Sequence, residues 1–127
     1  MRIFVDMFVD THTHFYDEWL LPDAEEAVQR ALEAGVGKMI QADVDSRERP
    51  AMWEIGNRHP GVIFQMLGLY PGSVTENWQE ELSALEPYLN KGIVAVGEIG
   101  PAIGPFVDFI TGGEAVEVSA QVQVLTI

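Results

Sequence analysis

Short apolar runs alternate with helical patterns along most of this chain, and this alternation constrains the fold more than any other feature. Apolar runs of a few residues predict strands, and apolar residues repeated every three to four positions predict amphipathic helices. The first strand is predicted to end at Asp10, the others to span 38–42, 62–69 and 93–97, and the helices to span 23–34, about 45–58 and 78–89. Strands that alternate with helices are typical of parallel βα units, so we predict an α/β fold.

The length of the chain limits how many βα units it can contain. Its 127 residues allow one domain with a sizeable core. An eight-stranded βα barrel typically needs about 250 residues. We therefore predict a partial barrel of the TIM type within residues 1–100, with about four parallel strands and their helices. In such a fold, functional side chains are expected at the C-terminal ends of the strands.

Residues 101–127 follow a different pattern from the rest of the chain. The segment 101–113 is rich in glycine and proline, and apolar residues then alternate strictly with polar ones from Val116 to Val124. Strict alternation predicts a half-buried strand rather than a buried strand of a parallel sheet. We expect a divergent tail with one possible strand. Truncation, a change of reading frame and genuine divergence would each produce such a tail.

The charge of the chain is strongly unbalanced, although 47% hydrophobic and 21% charged residues are ordinary for a globular protein. Twenty acidic and seven basic residues give a net charge of −13. This charge repels a phosphate backbone unless bound cations bridge to it. No apolar run approaches the ~18 residues of a membrane span, and a sequence without cysteine has neither disulfides nor thiolate metal sites. We expect no membrane partner and a cytoplasmic location.

An Asp-x-His-x-His motif at the end of the first predicted strand is the main indication of chemistry. Successive side chains of a strand point to opposite faces, so Asp10, His12 and His14 would share one face. Two residues of strand separate the histidine backbones by about 6.6 Å, which lets both imidazoles reach one cation. Neutral imidazole is a common ligand of zinc-type metals. Histidines at this spacing also occur on solvated strands, so the motif alone is a weak indication.

A second motif, Gly97-Glu98-Ile99-Gly100, follows the last predicted strand. Together the two motifs resemble the N-terminal signatures of the TatD family of metal-dependent deoxyribonucleases, which belongs to the amidohydrolase-like barrels. The resemblance extends over about residues 7–100. It implies that His12, His14 and Glu98 are metal ligands, that Glu98 is also the catalytic carboxylate, and that the cofactor is a divalent cation of the Zn, Mg or Mn type.

The chain departs from the family pattern at several positions. Tyr70 stands where the family usually has the histidine of Gly-x-His-Pro, and a phenol cannot replace imidazole in acid–base chemistry near neutral pH. After Gly100 the family continues with Leu-Asp and an aromatic residue, whereas this chain continues with Pro101. The family draws two further histidines and an aspartate from later strands, but no histidine follows His59 here. The resemblance therefore implies hydrolysis of DNA by metal-activated water, in a form that is incomplete and weakly active or inactive.

Other polar residues near the predicted strand ends are expected to have supporting roles. We expect Asp10 to orient a ligand rather than bind metal, and Asp45 to cap the second helix rather than bind metal. Asp43 flanks the same strand end. Tyr70 is expected to line the rim of the barrel. His59 is expected to complement the dipole at the end of the second helix.

Two other functions remain open from the sequence. One is a non-catalytic fragment that binds metal weakly or self-associates through open sheet edges, with Ile40, Leu67 and Val96 on an uncovered inner face. The other is a phosphoesterase of the polymerase-and-histidinol-phosphatase type, which also begins with His-x-His, although the motif at Glu98 favours the TatD family. The expected partners are accordingly DNA, a small phosphoester or a second copy of the chain.

Overall fold

Four parallel strands lie side by side in their sequence order in a computed structural model that describes residues 7–98. The strands are β1 (Phe8–Thr13), β2 (Val36–Gln41), β3 (Ile63–Leu67) and β4 (Ala95–Val96), and the helices are α1 (Ala24–Glu33), α2 (Arg49–Arg58) and α3 (Trp78–Ser83). One α-helix separates each strand from the next. The sheet is the curled half of a βα barrel, which confirms the predicted fold class. The predicted tail and its possible strand lie outside the described residues.

The first strand is three residues longer than predicted. It runs to Thr13 because its pairing with β2 continues past Asp10. The register of this pairing shifts twice, once between Phe8 and Val9 and once between Asp10 and Thr13. His12 is therefore part of β1, and His14 follows it directly. The prediction that the strand ends at Asp10 was wrong because the polar run after Asp10 does not resemble a strand in sequence.

The third helix is shorter than the predicted span of 78–89. The α-helical part ends at Ser83, and a 3-10 turn follows at Glu86–Tyr88. Pro87 explains this change, because its ring would clash with the carbonyl group four residues earlier in an α-helix. Leu85 is nevertheless fully buried, and Leu82 and Leu89 pack beside it as their spacing predicted.

Asp45 does not cap α2, contrary to our expectation. The helix begins at Arg49, and no side chain caps its first turn. The Asp45 carboxylate instead accepts a hydrogen bond from the backbone N–H of Arg47 at 3.0 Å and one from the Ser73 hydroxyl at 3.2 Å. It therefore ties the loop before α2 to the loop after β3.

The hydrophobic core lies between the sheet and the helices. Its buried members are Phe15, Tyr16, Ala24, Val28, Met39, Met52, Trp53, Ile55, Ile63, Leu67 and Leu85. Ile40, Ala42 and Met66 form a smaller cluster on the other face of the sheet. Ile40 lies on this inner face as expected, but it is only 6% exposed and therefore is not uncovered. The expectation was wrong for Leu67, which packs against the helices because side chains alternate along β3. Val96, which pairs with Leu67, is 39% exposed.

The described helices are short. Within residues 7–98, none is both long enough and apolar enough to cross a membrane.

Candidate metal centre

The three side chains predicted as metal ligands converge at the C-terminal ends of β1 and β4. The Nε2 atoms of His12 and His14 lie 2.9 Å apart. Oε2 of Glu98 lies 3.5 Å from Nε2 of His12 and 3.6 Å from Nε2 of His14. The prediction that these groups meet at one point is confirmed, although the outermost strands of the sheet supply them.

The spacing of these three potential ligand atoms matches the size of a coordination sphere. All lie within 4.8 Å of one another. A point equidistant from the two nitrogens and the carboxylate oxygen would be about 2 Å from each, close to the usual zinc–nitrogen and zinc–oxygen bond lengths of about 2.0–2.2 Å. Two imidazoles and a carboxylate are also a donor set that divalent transition metals accept. The residues present therefore fit a divalent cation.

Asp10 supports His12 through the backbone. Its Oδ1 atom accepts a hydrogen bond from the backbone N–H of His12 at 3.0 Å, and its side chain is exposed. The sequence predicts that this carboxylate orients a ligand, whereas the contact observed is with the main chain of His12 rather than with an imidazole. This local bond lies within the irregular part of β1, between Asp10 and Thr13, where the pairing with β2 shifts register.

A buried tyrosine, which sequence analysis missed, lies beneath the histidine pair. The hydroxyl of Tyr16 lies 2.8 Å from Nδ1 of His14 and donates a hydrogen bond to the carbonyl oxygen of Ala42 at the end of β2. Burial raises the pKa of Tyr16, so its phenol stays protonated. The sequence offered one signal for this residue. An aromatic side chain two positions after His14 would lie on the same face as His12 and His14 if the strand continued.

The pKa of His14 is lowered, first by burial and then by the nearby His12. Because the ordinary pKa of histidine is about 6.5, this shift keeps the His14 imidazole neutral near pH 7. A neutral imidazole has a lone pair available for a metal. His14 is thus suited to ligation without first losing a proton to the solvent.

Backbone hydrogen bonds to the end of β2 fix the position of Glu98. The N–H of Glu98 donates to the carbonyl oxygen of Asp43 at 3.0 Å, and the N–H of Asp43 donates to the carbonyl oxygen of Gly97 at 3.1 Å. The chain after β4 therefore passes over the end of β3 to reach β2. It crosses at Gly68, where an added Cβ would lie only 2.5 Å from the carbonyl carbon of Gly97.

A buried ion pair supports this crossing. Nε of Arg49 donates to Oδ2 of Asp43 at 2.8 Å, and both side chains are 1% exposed. The same Oδ2 atom accepts the backbone N–H of Gly68 at 3.0 Å, and Arg49 also donates to the carbonyl oxygens of Gly68 and Ala84. Burial raises the pKa of Asp43 to about 6, against the opposing charge of Arg49. Sequence analysis flagged Asp43 for its place at a strand end but missed Arg49.

The remaining candidates lie where their supporting roles require. Tyr70 follows β3 at the C-terminal end of the sheet and is 40% exposed, as expected of a rim residue. His59 caps the C-terminal end of α2, and its Nε2 atom lies 2.8 Å from Oε2 of Glu25. Since the end of α2 leads into the start of β3, His59 is at the opposite end of the sheet from His12 and His14. Its predicted position at the end of α2 is confirmed.

Comparison with known proteins identifies the family. Residues 9–110 match the family model described as TatD related DNase. The matched segment extends ten residues past Gly100, where the last recognisable motif ends. Over 96 residues the chain is 33% identical to "Uncharacterized metal-dependent hydrolase YjjV" of Escherichia coli (strain K12), covering 73% of this chain and 37% of that protein. Over 112 residues it is 28% identical to "Putative deoxyribonuclease tatdn3" of Danio rerio, covering 82% of this chain and 42% of that protein.

A solved structure gives the same result. The crystal structure of YjjV, a TatD homologue from Escherichia coli K12, superposes with a TM-score of 0.66 at 32% sequence identity. The superposition covers 76% of this chain and 38% of that one. This chain spans about two fifths of the length of the curated relatives it matches. The family match and the shared half-barrel together show that the chain belongs to the family of TatD-related DNases.

Proposed function

We propose that this chain binds one divalent cation through His12, His14 and Glu98, and that this site serves metal-dependent hydrolysis of phosphodiesters in DNA. The observation that carries the proposal is the convergence of three donor atoms at distances that suit a cation. The names of two relatives agree with it, since one is called a metal-dependent hydrolase and the other a putative deoxyribonuclease. Family membership also favours this function over a phosphoesterase of the polymerase-and-histidinol-phosphatase type.

The exposure of the three side chains suits a site that admits substrate. His12 is 43% exposed and Glu98 is 31% exposed, so one side of the cluster opens to solvent. A divalent cation held there would polarise a phosphoryl oxygen and lower the pKa of a water molecule. The carboxylate of Glu98 would offset part of its positive charge. In a chain of net charge −13, such a centre would be the natural point of approach for a phosphate group.

The number of ligands limits the activity we expect. Hydrolysis of phosphodiesters with two metals requires both cations to be held about 3.5–4 Å apart. Within residues 7–98, the one cluster of at least three potential ligands offers three donor atoms, enough to hold a single cation weakly. The third histidine of the described residues, His59, lies at the opposite end of the sheet and cannot add an imidazole to this cluster. We therefore expect weak binding of one cation, and DNA cleavage that is slight or absent.

Titration with Zn²⁺, Mn²⁺ and Mg²⁺ tests the proposal by calorimetry and by NMR of the imidazole resonances. We expect weak binding at one site, with the resonances of His12 and His14 perturbed and those of His59 unchanged. His12→Ala, His14→Ala and Glu98→Gln should each weaken binding at least tenfold, because each removes one of three donor atoms. His59→Ala is the matched control, since it removes an imidazole at the other end of the sheet.

The DNA cleavage assay uses the same set of variants. Any cleavage by the purified chain should disappear in His12→Ala and persist in His59→Ala. Cleavage that survives His12→Ala would come from a contaminant. Equal cation affinity in His12→Ala and wild type would refute the proposed site.

A second candidate function, self-association, is favoured by the exposed start of β1. Met7, Phe8 and Val9 are 52%, 64% and 42% exposed, and the described part of the chain pairs β1 on one side only, with β2. Exposed apolar edge strands pair readily with other chains. We propose that β1 mediates association with a second copy of the chain.

Ionic strength should control this association. The net charge of −13 makes copies of the chain repel each other, and salt screens that repulsion. Sedimentation should therefore show a larger fraction of dimer or higher species as salt is added. Phe8→Lys should reduce that fraction at every salt concentration. A monomer under all these conditions would contradict self-association.

A further inference from the structure

The hydroxyl group of Tyr16 makes two polar contacts but has only one proton, so it can donate a hydrogen bond in only one of them. Its side chain is 3% exposed, and its oxygen lies between Nδ1 of His14 and the carbonyl oxygen of Ala42. A carbonyl oxygen can only accept, so the contact with Ala42 uses the proton of the phenol. If that proton pointed at His14 instead, the oxygens of Tyr16 and Ala42 would face each other with lone pairs at close range.

The proton in the contact between His14 and Tyr16 must then come from the imidazole. The phenol oxygen has lone pairs left after it donates to Ala42, and Nδ1 of His14 is 2.8 Å from it. Nδ1 of His14 therefore carries a hydrogen and donates it to Tyr16. In a neutral imidazole the other nitrogen, Nε2, is left with a lone pair, and this is the atom that faces His12 and Glu98.

We propose that Tyr16 is a positioning residue that holds His14 in its Nδ1–H tautomer, so that Nε2 presents its lone pair to a divalent cation. This inference rests on the proposed function for its role in metal binding. The tautomer itself follows from contacts within the chain. Histidine ligands in metal sites commonly donate their second N–H to a fixed acceptor, which orients the ring. Here the acceptor is a phenol that β2 holds in place through the carbonyl group of Ala42.

The tautomer of His14 has a consequence for His12. Their Nε2 atoms are 2.9 Å apart, and a hydrogen bond at that distance needs one donor. Since Nε2 of His14 is the acceptor, Nε2 of His12 carries the hydrogen when no cation is bound. The two histidines therefore carry their hydrogens on different nitrogens in the metal-free chain, although both present Nε2 to the same point.

Long-range ¹H–¹⁵N correlation spectra of the metal-free protein test this assignment directly. They are recorded on ¹⁵N-labelled protein at mildly alkaline pH, where imidazoles are neutral. The chain has three histidines, and His12→Ala and His59→Ala assign their signals. We expect protonated Nδ1 in His14 and protonated Nε2 in His12. A His14 that is protonated at Nε2 in the wild-type protein would overturn the proposal.

Tyr16→Phe then tests the link from tautomer to metal. The variant removes one hydroxyl, and we expect the hydrogen of His14 to move towards Nε2 and the affinity for Zn²⁺ to fall about 10–100-fold. Tyr88→Phe is the matched control, because it removes one hydroxyl from a tyrosine that packs on Trp53. It should leave both the spectrum and the affinity close to wild type.

The outcomes separate this proposal from the proposed function. The role of Tyr16 would be overturned if His14 kept its Nδ1–H tautomer in Tyr16→Phe. It would also be overturned if Tyr16→Phe bound Zn²⁺ as tightly as Tyr88→Phe. A wild-type chain that binds no Zn²⁺, but whose His14 tautomer changes in Tyr16→Phe, would support the assignment of the tautomer and refute the metal site instead.

Discussion

Replacing Arg49 with methionine is expected to lower the free energy of unfolding by about 3–5 kcal/mol, the usual effect of breaking a buried ion pair. The substitution keeps much of the apolar volume but leaves the Asp43 carboxylate buried without its cation. It also removes donors from the carbonyl oxygens of Gly68 and Ala84. Since domains are typically stable by about 5–15 kcal/mol, a loss of this size would leave the chain marginally folded.

Urea unfolding followed by circular dichroism measures this effect. Arg30→Met is the matched control, because Arg30 pairs with Asp23 at 2.7 Å but both side chains are exposed. Exposed pairs contribute little, so this variant should unfold close to wild type. Adding Asp43→Asn to Arg49→Met removes the unpaired charge and should recover part of the loss. An Arg49→Met variant as stable as Arg30→Met would contradict a supporting role for the buried pair.

Replacing Gly68 with alanine is expected to displace Glu98 and disable the metal centre. The added Cβ would lie 2.5 Å from the carbonyl carbon of Gly97 and 2.8 Å from the nitrogen of Glu98. These are backbone atoms, so no side chain can rotate away and the whole crossing segment must move. We expect the affinity for Zn²⁺ to fall at least tenfold and the free energy of unfolding to fall by about 1–3 kcal/mol, as overpacking typically causes.

Gly37→Ala provides the matched control for Gly68→Ala. Its added Cβ meets only the Cγ and Sδ atoms of Met7 at close range, and Met7 is 52% exposed and has flexible torsions. That side chain can move aside, so cation affinity and stability should stay near wild type. Calorimetric titration and urea unfolding report both quantities. Full Zn²⁺ affinity in Gly68→Ala would show that the crossing at this glycine does not position Glu98.

The sheet and the three candidate metal ligands could be predicted because their sequence signals are direct. Apolar runs and helical stripes reflect which side chains are buried, and they located the four described strands and three α-helices, though not the 3-10 turns. The convergence of His12, His14 and Glu98 was predicted from the resemblance of their two motifs to the TatD family, together with the rule that parallel strands end at the same edge of a sheet. The end of β1 was missed because its last residues are polar and its pairing is irregular.

The supporting residues could not be predicted because their roles depend on tertiary contacts. Nothing in the sequence distinguishes Arg49 from the exposed Arg47 two positions earlier. In the structure, however, Arg49 is buried against Asp43, at the point where the chain after β4 crosses to β2. Tyr16 follows the histidine motif closely, but its importance depends on its contact with Ala42, the residue that directly follows β2. The division into residues 1–100 and 101–127 stays a prediction.

His12 and His14 come from the beginning of the described chain and Glu98 from its last position. A cation shared by all three would therefore act as a reversible cross-link that closes almost the entire half-barrel into one loop. Closing a long loop removes more entropy from the unfolded chain than closing a short one. A ligand present at 100 times its dissociation constant stabilises a folded protein by about 2.7 kcal/mol when it does not bind the unfolded state. The thermal stability of this chain would then follow the metal content of its surroundings, whether or not DNA is cleaved.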